Sequence, residues 1–244
     1  MPLTSAQIVT LACQAAKTPG MVIQAGQNLN AILQELNQTY DIVDARAVVT
    51  ITTNTGPAGT NSGTGPYLLP ADYLRTQNGK QFYLFNGQPY FMTRIEQWEY
   101  DALIQQPGFA DFPRDFTVDM AQSPPEEKIW PPPSIVVPIT VRYFRQMPDI
   151  ATPETSATVP WFKYQKYLIT RLTGEMMALA DDDRAAKFLT DDPHVDPQGA
   201  GVLLRRYLML EDDPEGRAKT VSLDRRRFGN QSWQQLPNTK SIGW

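Results

Sequence analysis

Apolar residues recur at helical spacing at both ends of this chain and alternate along short runs through its middle. Near the N-terminus, Ile8, Leu11, Ala12 and Ala15 mark one helical face. Thr4 followed by Gln7 has the form of a capping box, and Pro19-Gly20 predicts a stop at about Lys17. A second helix is predicted from about Gln24 to Asp44, with Leu29, Ile32, Leu33, Leu36 and Tyr40 as its apolar stripe. Its other face is rich in amides: Gln24, Gln27, Asn28, Asn30, Gln34, Asn37 and Gln38. Uncharged amides suit either solvent or packing against a neighbouring copy. A third helical block is predicted after Pro160, a residue suited to a first turn. Its stripe is Trp161, Tyr164, Leu168, Leu172, Met176 and Leu179. A fourth helix is predicted from about Gln198 to Glu211, carrying Val202, Leu203, Tyr207, Leu208 and Leu210.

The middle of the chain changes period. Lys128 to Asp149 reads KIWPPPSIVVPITVRYFRQMPD. Proline lacks a backbone donor, so Pro131 to Pro133 predict a strand entry or an edge, and Pro138–Gln146 a half-buried strand. Further strands are predicted at Val48–Thr53, Gln81–Phe85, Tyr90–Ile95 and Phe116–Met120, with a short helix over Glu96–Gln105. Asn86-Gly87 between two apolar runs is a hairpin signal. Asn54–Pro66 is glycine, threonine and proline without a large side chain, which predicts a mobile loop. The expected fold is α+β. A helical bundle or hairpin core is built by the N- and C-terminal helices and carries an inserted antiparallel β-sandwich or barrel of about five strands. The expected division is residues 1–47 and 155–220 helical, 48–154 β-rich, and 221–244 an extended C-terminal tail.

Composition narrows the function. A net charge of −4 argues against a protein that wraps nucleic acid with a basic face, though not against an acidic lining past which DNA slides. From Pro160 to Gly229 acidic and basic residues balance, which suits ion pairing with neighbouring elements. No apolar run approaches the roughly 20 residues needed to cross a bilayer, so no membrane role is expected. MPLTSAQIV lacks the basic-then-apolar pattern of a secretory signal. The single cysteine, Cys13, excludes an internal disulfide and is expected as a buried thiol in a reducing compartment.

Catalytic and metal signatures are missing from the sequence. There is no Gly-x-Ser-x-Gly elbow and no His-Glu-x-x-His, and the glycine-rich loop lacks the lysine of a phosphate-binding loop. The single histidine, His194, sits in a turn rich in proline and aspartate. Asp181–Asp183 reads as a helical run, and Asp191, Asp192 and Asp196 lack calcium-loop spacing. No enzyme activity, metal or cofactor is expected. The tail is different. Arg225, Arg226, Arg227 and Phe228 precede a polar stretch that still holds Trp233, Leu236, Ile242 and Trp244. Tryptophan and arginine are enriched at interface hot spots, so this segment is expected to order in a partner's groove, the alternative being packing on its own domain.

Four segments occur in a telling order: AQIVTLACQAAKTPGMVIQAGQNLNAILQELNQTYD, LPADYLR at Leu69–Arg75, WPPPSIVVPITVRYFRQMPD, and WFKYQKYLITRLTGEMMALADDDRA. Together they resemble the head-to-tail adaptors of short-tailed phages (podoviruses), the connector or head-completion family that includes tail-tubular-A-like proteins. The similarity spans roughly residues 4–228. It implies a homo-oligomeric ring of about 12 copies docked under the portal protein. Such a ring extends the DNA channel and offers a platform to the tail nozzle or tail tube protein, and double-stranded DNA passes through its lumen without specific binding. It also implies a place in the virion at the head-tail junction, after assembly in the host cytoplasm. The portal-binding candidates are then Arg225, Arg226, Arg227, Phe228, Trp233, Leu236, Ile242 and Trp244. Two other readings stay open. One is a different phage neck or tail-tube ring component. The other is a glycan-binding or hydrolytic module on the β insertion, using Trp98, Trp130 and Tyr143 as an aromatic platform.

Overall fold

The computed structural model describes residues 2–55, 63–105 and 111–212 and is mixed α and β. The chain opens with α1 (Ser5–Ala16), capped as expected. The Thr4 hydroxyl accepts from the Gln7 amide at 3.3 Å, and the Gln7 side chain accepts from the Thr4 N–H at 3.0 Å. Lys17 ends the helix in the left-handed region at φ 59°. After a short turn, α2 (Val22–Thr39) follows. It stops before the expected Asp44 because Tyr40 is extended and the chain turns toward the sheet. There it forms β1 (Arg46–Thr52), β2 (Tyr67–Leu68), β3 (Tyr73–Thr76), β4 (Lys80–Phe85) and β5 (Gln88–Arg94). A helix α3 (Gln97–Ile104) precedes β6 (Asp115–Asp119), β7 (Glu126–Trp130) and β8 (Pro138–Arg145). Helices α4 (Gln165–Leu179), α5 (Ala185–Leu189) and α6 (Ala200–Asp212) close the described chain.

All eight strands join one sheet, in the order β1-β8-β4-β5-β6-β7-β2, with β3 also paired to β8. The expected five strands miss β2, β3 and β7. β2 and β3 are too short to show a period. β7 reads EEKIW, and its inward position is taken by Glu127, a residue normally outside. Pro131–Pro133 therefore follow a strand rather than open one, and all three are buried. Nor is the sheet wholly antiparallel: β5 and β6 run parallel, with Thr93 opposite Asp115. A parallel pair needs a crossover, and the chain through α3 supplies it.

β1 and β8 pair along the whole of β1, from Arg46 opposite Phe144 to Thr52 opposite Pro138. The chain thus enters and leaves the sheet at one place. The far strands also approach each other. The Tyr67 hydroxyl on β2 accepts from the Asn54 amide just beyond β1 at 3.0 Å, and donates to the Gly63 carbonyl at 2.6 Å. The sheet is nearly a closed barrel around Tyr83, Met92, Phe116, Ile129, Ile139 and Val141. The centre of the glycine-threonine loop lies outside the described residues. Its C-terminal end packs, with Thr64 buried and its carbonyl accepting from Ile129 N at 2.7 Å.

A second apolar cluster is drawn from the helices and the segment before α4: Ile8, Leu29, Ile32, Leu36, Phe162, Leu168, Leu172, Met176 and Leu203. Cys13 is buried in it, as expected, and burial raises its thiol pKa. Trp161 to Tyr164 are not the first helical turn. They form an irregular approach to α4 that sinks Phe162 completely, and Pro160 precedes it. Asp181 is not helical either: it lies in a turn at φ 53°.

Candidate interaction surface

A strand buried on one side should place polar residues on the other. β4 and β5 break this rule. Gln81, Tyr83 and Met92 point inward and are buried. The outward row is also apolar: Phe82 lies opposite Phe91, and Leu84 opposite Pro89. Phe91 is 64% exposed and Leu84 56%. Because Phe82 pairs with Thr140 on β8, and Arg142 with Val48 on β1, the face continues across four strands. Val48 is also exposed. The Arg142 guanidinium sits 5.1 Å from the Phe82 ring centre, giving the patch a cationic edge. The Asn86-Gly87 turn, with φ of 49° and 76°, projects this hairpin as the sequence predicts. Near the turn Tyr90 stacks on Tyr83 at 5.6 Å and on Phe112 at 5.7 Å, which stiffens it.

The sheet is joined to the helices by a clasp centred on Arg75 of β3. Its guanidinium donates to the carbonyls of Asn37, Gln38 and Tyr40 at 2.8–3.1 Å and pairs with Asp41 at 2.9 Å. It also lies 4.9 Å from the Phe144 ring centre. These carbonyls belong to the end of α2, where no intrahelical donor remains, so Arg75 caps the helix from the sheet. Three residues of the amide-rich face are used in the same joint. Asn30 exchanges two hydrogen bonds with the backbone of Ile150, at 3.0 and 3.1 Å. Gln34 donates to the Asp149 carboxylate at 2.7 Å, and the buried Asn37 amide bonds Arg145 O and Met147 N. That face is therefore not wholly free for a neighbouring copy; Gln24, Gln27 and Gln38 remain exposed on it.

The other expected sites separate. Arg225, Arg226, Arg227, Phe228, Trp233, Leu236, Ile242 and Trp244 lie outside the described residues. The aromatic platform does not form. Trp98 is 70% exposed, but Trp130 and Tyr143 are only 3% and 5% exposed, their rings spent on the interior. His194 is exposed in its turn, and its amide donates to Asp192 at 2.8 Å. Asp182 is held by Arg184, whose side-chain and backbone hydrogen bonds lower its pKa to about 2. Among the described residues, no three His, Cys, Asp or Glu side chains converge as a metal site would need, and no helix is long and apolar enough to cross a membrane.

The outward row of β4 and β5 has a signal in the sequence. In QFYLF and PYF, large apolar residues stand at successive positions, which one buried face cannot absorb. The Arg75 clasp has none, since an arginine in a short strand reads as solvent-facing. No protein-family model and no curated protein matches the chain.

Proposed function

We propose that this protein is a structural ring component that adapts the portal of a short-tailed phage to its tail. Its helical core, a bundle or hairpin of N- and C-terminal helices, carries the β-rich insertion as one of its contact faces. The observation that carries the reading is the outward apolar face of Val48, Phe82, Leu84 and Phe91 across β1, β4 and β5, on which all but the half-buried Phe82 are exposed. Exposed apolar patches with charged edges mark sites of protein association. A closed ring needs two unlike faces on each copy. The helical side offers a second candidate, a shallow groove along α1 lined by Leu3, Ala6, Thr10 and the exposed Leu11. The order of the four sequence segments supplies the head-to-tail context. The partners are then further copies of the chain, the portal and the tail nozzle, with DNA in the lumen.

Mass photometry of the purified protein, alone and with a portal ring, tests this. The expected result is a species with the mass of the portal plus about a dozen copies. Replacing both Leu84 and Phe91 by aspartate is expected to raise the concentration needed for assembly at least about tenfold while leaving the fold intact. Association with a tail tube but not with portal would instead favour a different neck component. A protein that stays monomeric with both, and is unaffected by the double substitution, overturns the proposal.

A further inference from the structure

The barrel interior holds one carboxylate that neither the fold nor the proposed assembly face uses. Glu127, on β7, is 1% exposed. Its Oε2 accepts from the Gln81 side-chain amide at 2.9 Å. Among the described residues its Oε1 has no hydrogen-bond partner, and neither does the Oε1 of Gln81. Both orphan atoms are acceptors, so neither can satisfy the other as an ionised pair. One proton on Glu127 Oε1 removes both faults. The acid then donates to the Gln81 carbonyl while the amide donates to the acid, and the two groups close a ring of two hydrogen bonds.

The surroundings favour the neutral acid. Tyr67 on β2 lies directly opposite Glu127, and Tyr73 on β3 is near enough to feel its charge. Neither phenol is directed at it: Tyr67 donates to Gly63 O, and Tyr73 shares a proton with the Thr76 hydroxyl at 2.5 Å. Tyr100 on α3 acts on Tyr67 and is hydrogen-bonded to Thr64. The nearby cation, Arg94 on β5, acts on Tyr73 and is exposed. β6 places the apolar Val118 opposite. A buried carboxylate with one amide donor and no cation is costly in its ionised form.

We infer that Glu127 and Gln81 share one proton in a buried acid–amide pair, and that this pair is a proton-operated latch on the barrel seam. The seam is the ladder between β2 and β7, which is only two residue pairs long. It holds β2, the edge strand whose Tyr67 reaches Asn54 beyond β1 where the sheet comes closest to closing. With the proton in place, the interior is fully bonded and the seam shut. With it gone, an unpaired charge lies beneath a two-pair ladder at the edge of the sheet. Burial raises the Glu127 pKa from 4.5 to about 7, opposed by the Gln81 hydrogen bond. The folded-state value is the higher one, so the stabilisation is complete below about pH 4.5 and is lost as pH rises through about 7.

The test is a carbon-13 titration of the Glu127 side-chain carboxyl in the intact protein, assigned through its backbone, with hydrogen exchange at the seam amides Leu69 and Ile129. The expected carboxyl midpoint is near 7. Protection at Leu69 and Ile129 should fall through the same range, beyond the intrinsic effect of pH, while amides of β1 and β8 hold. Glu127→Gln, which can form the same two-bond ring without a proton, should flatten this profile. Relative to that variant, the wild-type folding constant should drop on the order of 100-fold between about pH 4.5 and 8. A carboxyl midpoint below about pH 5, or parallel seam protection in wild type and variant, overturns the latch. The titration decides the protonation even if the variant fails to fold.

Discussion

The helical and β regions of this protein handle buried charge in opposite ways. Helical charges stay at the margin and find opposite charges. Arg171 on α4 bonds Glu175 at 2.8 Å and reaches Glu35 on α2 at 3.3 Å, while Ile8, Leu29, Leu168 and Leu172 beneath are fully covered. The barrel instead takes a carboxylate inside, Glu127, beside Gln81, Thr117 and several tyrosines, where the buried polar residues of the helices, Ser5, Asn37 and Thr173, are all uncharged. A helix satisfies its own backbone and needs only an apolar stripe inside. A small barrel must fill a tapering interior from eight strands, and hydroxyls and amides that reach a carbonyl serve there. The Tyr83 hydroxyl, for example, donates to Pro113 O at 3.1 Å. The helical core is therefore expected to respond to lost volume, and the barrel to lost protons as well.

The strongest way to break that contrast is Phe162→Ala. Phe162 is fully buried and meets Tyr207 edge-on at 4.9 Å and Tyr167 at 5.6 Å. Removing it should cost about 3–5 kcal/mol in chemical denaturation, with little change in that cost between about pH 5 and about pH 8, because the contacts it loses carry no charge. A loss that tracks pH as the barrel seam does would erase the distinction between the two regions.

How much of this was legible from sequence follows the same divide. The Thr4–Gln7 cap, the α1 stop at Lys17 and the Asn86-Gly87 hairpin rest on local chemistry, and they appear where the residues put them. What escaped depends on distant partners. α2 ends at Thr39 rather than near Asp44 in a joint where Arg75, 35 residues further on than Tyr40, takes its last carbonyls. β7 escaped because Glu127 violates the apolar-inside rule, and Gln81, its partner, lies on another strand. Trp130 and Tyr143 look like a binding platform until tertiary packing buries them. The outward row of Phe82, Leu84 and Phe91 was half legible: the excess of apolar residues is visible, but not which of them face out.

The next contrast lies at the joint between the regions. Arg75→Lys keeps the charge but loses the planar fork that serves three carbonyls and Asp41 at once. A loss of about 1–3 kcal/mol is expected, because carbonyls at the end of α2 are left without donors. Hydrogen exchange should report faster opening at Tyr40 and in β3 than in α4. Uniform acceleration across the molecule would mean that the clasp does not separate two units and that both unfold together.

The smallest effect is expected at the other strand of that joint. Asn30 both donates to Ile150 O and accepts from Ile150 N, so one amide replaces a missing ladder partner for a buried backbone position. Asn30→Ala removes both bonds and should cost about 1 kcal/mol, since water reaches this part-buried site. Asn30→Asp is the sharper probe. It keeps the acceptor for Ile150 N but presents a second oxygen to Ile150 O, where two acceptors repel. Aspartate should therefore be no better than alanine at neutral pH and should recover as its carboxyl is protonated, because the acid can donate again. Chemical denaturation at about pH 7 and about pH 4 reads the difference. A variant insensitive to pH, or an aspartate as stable as asparagine throughout, would mean that the amide only fills space. Of the amide-rich face, the joint would then rest on Gln34 and Asn37 alone.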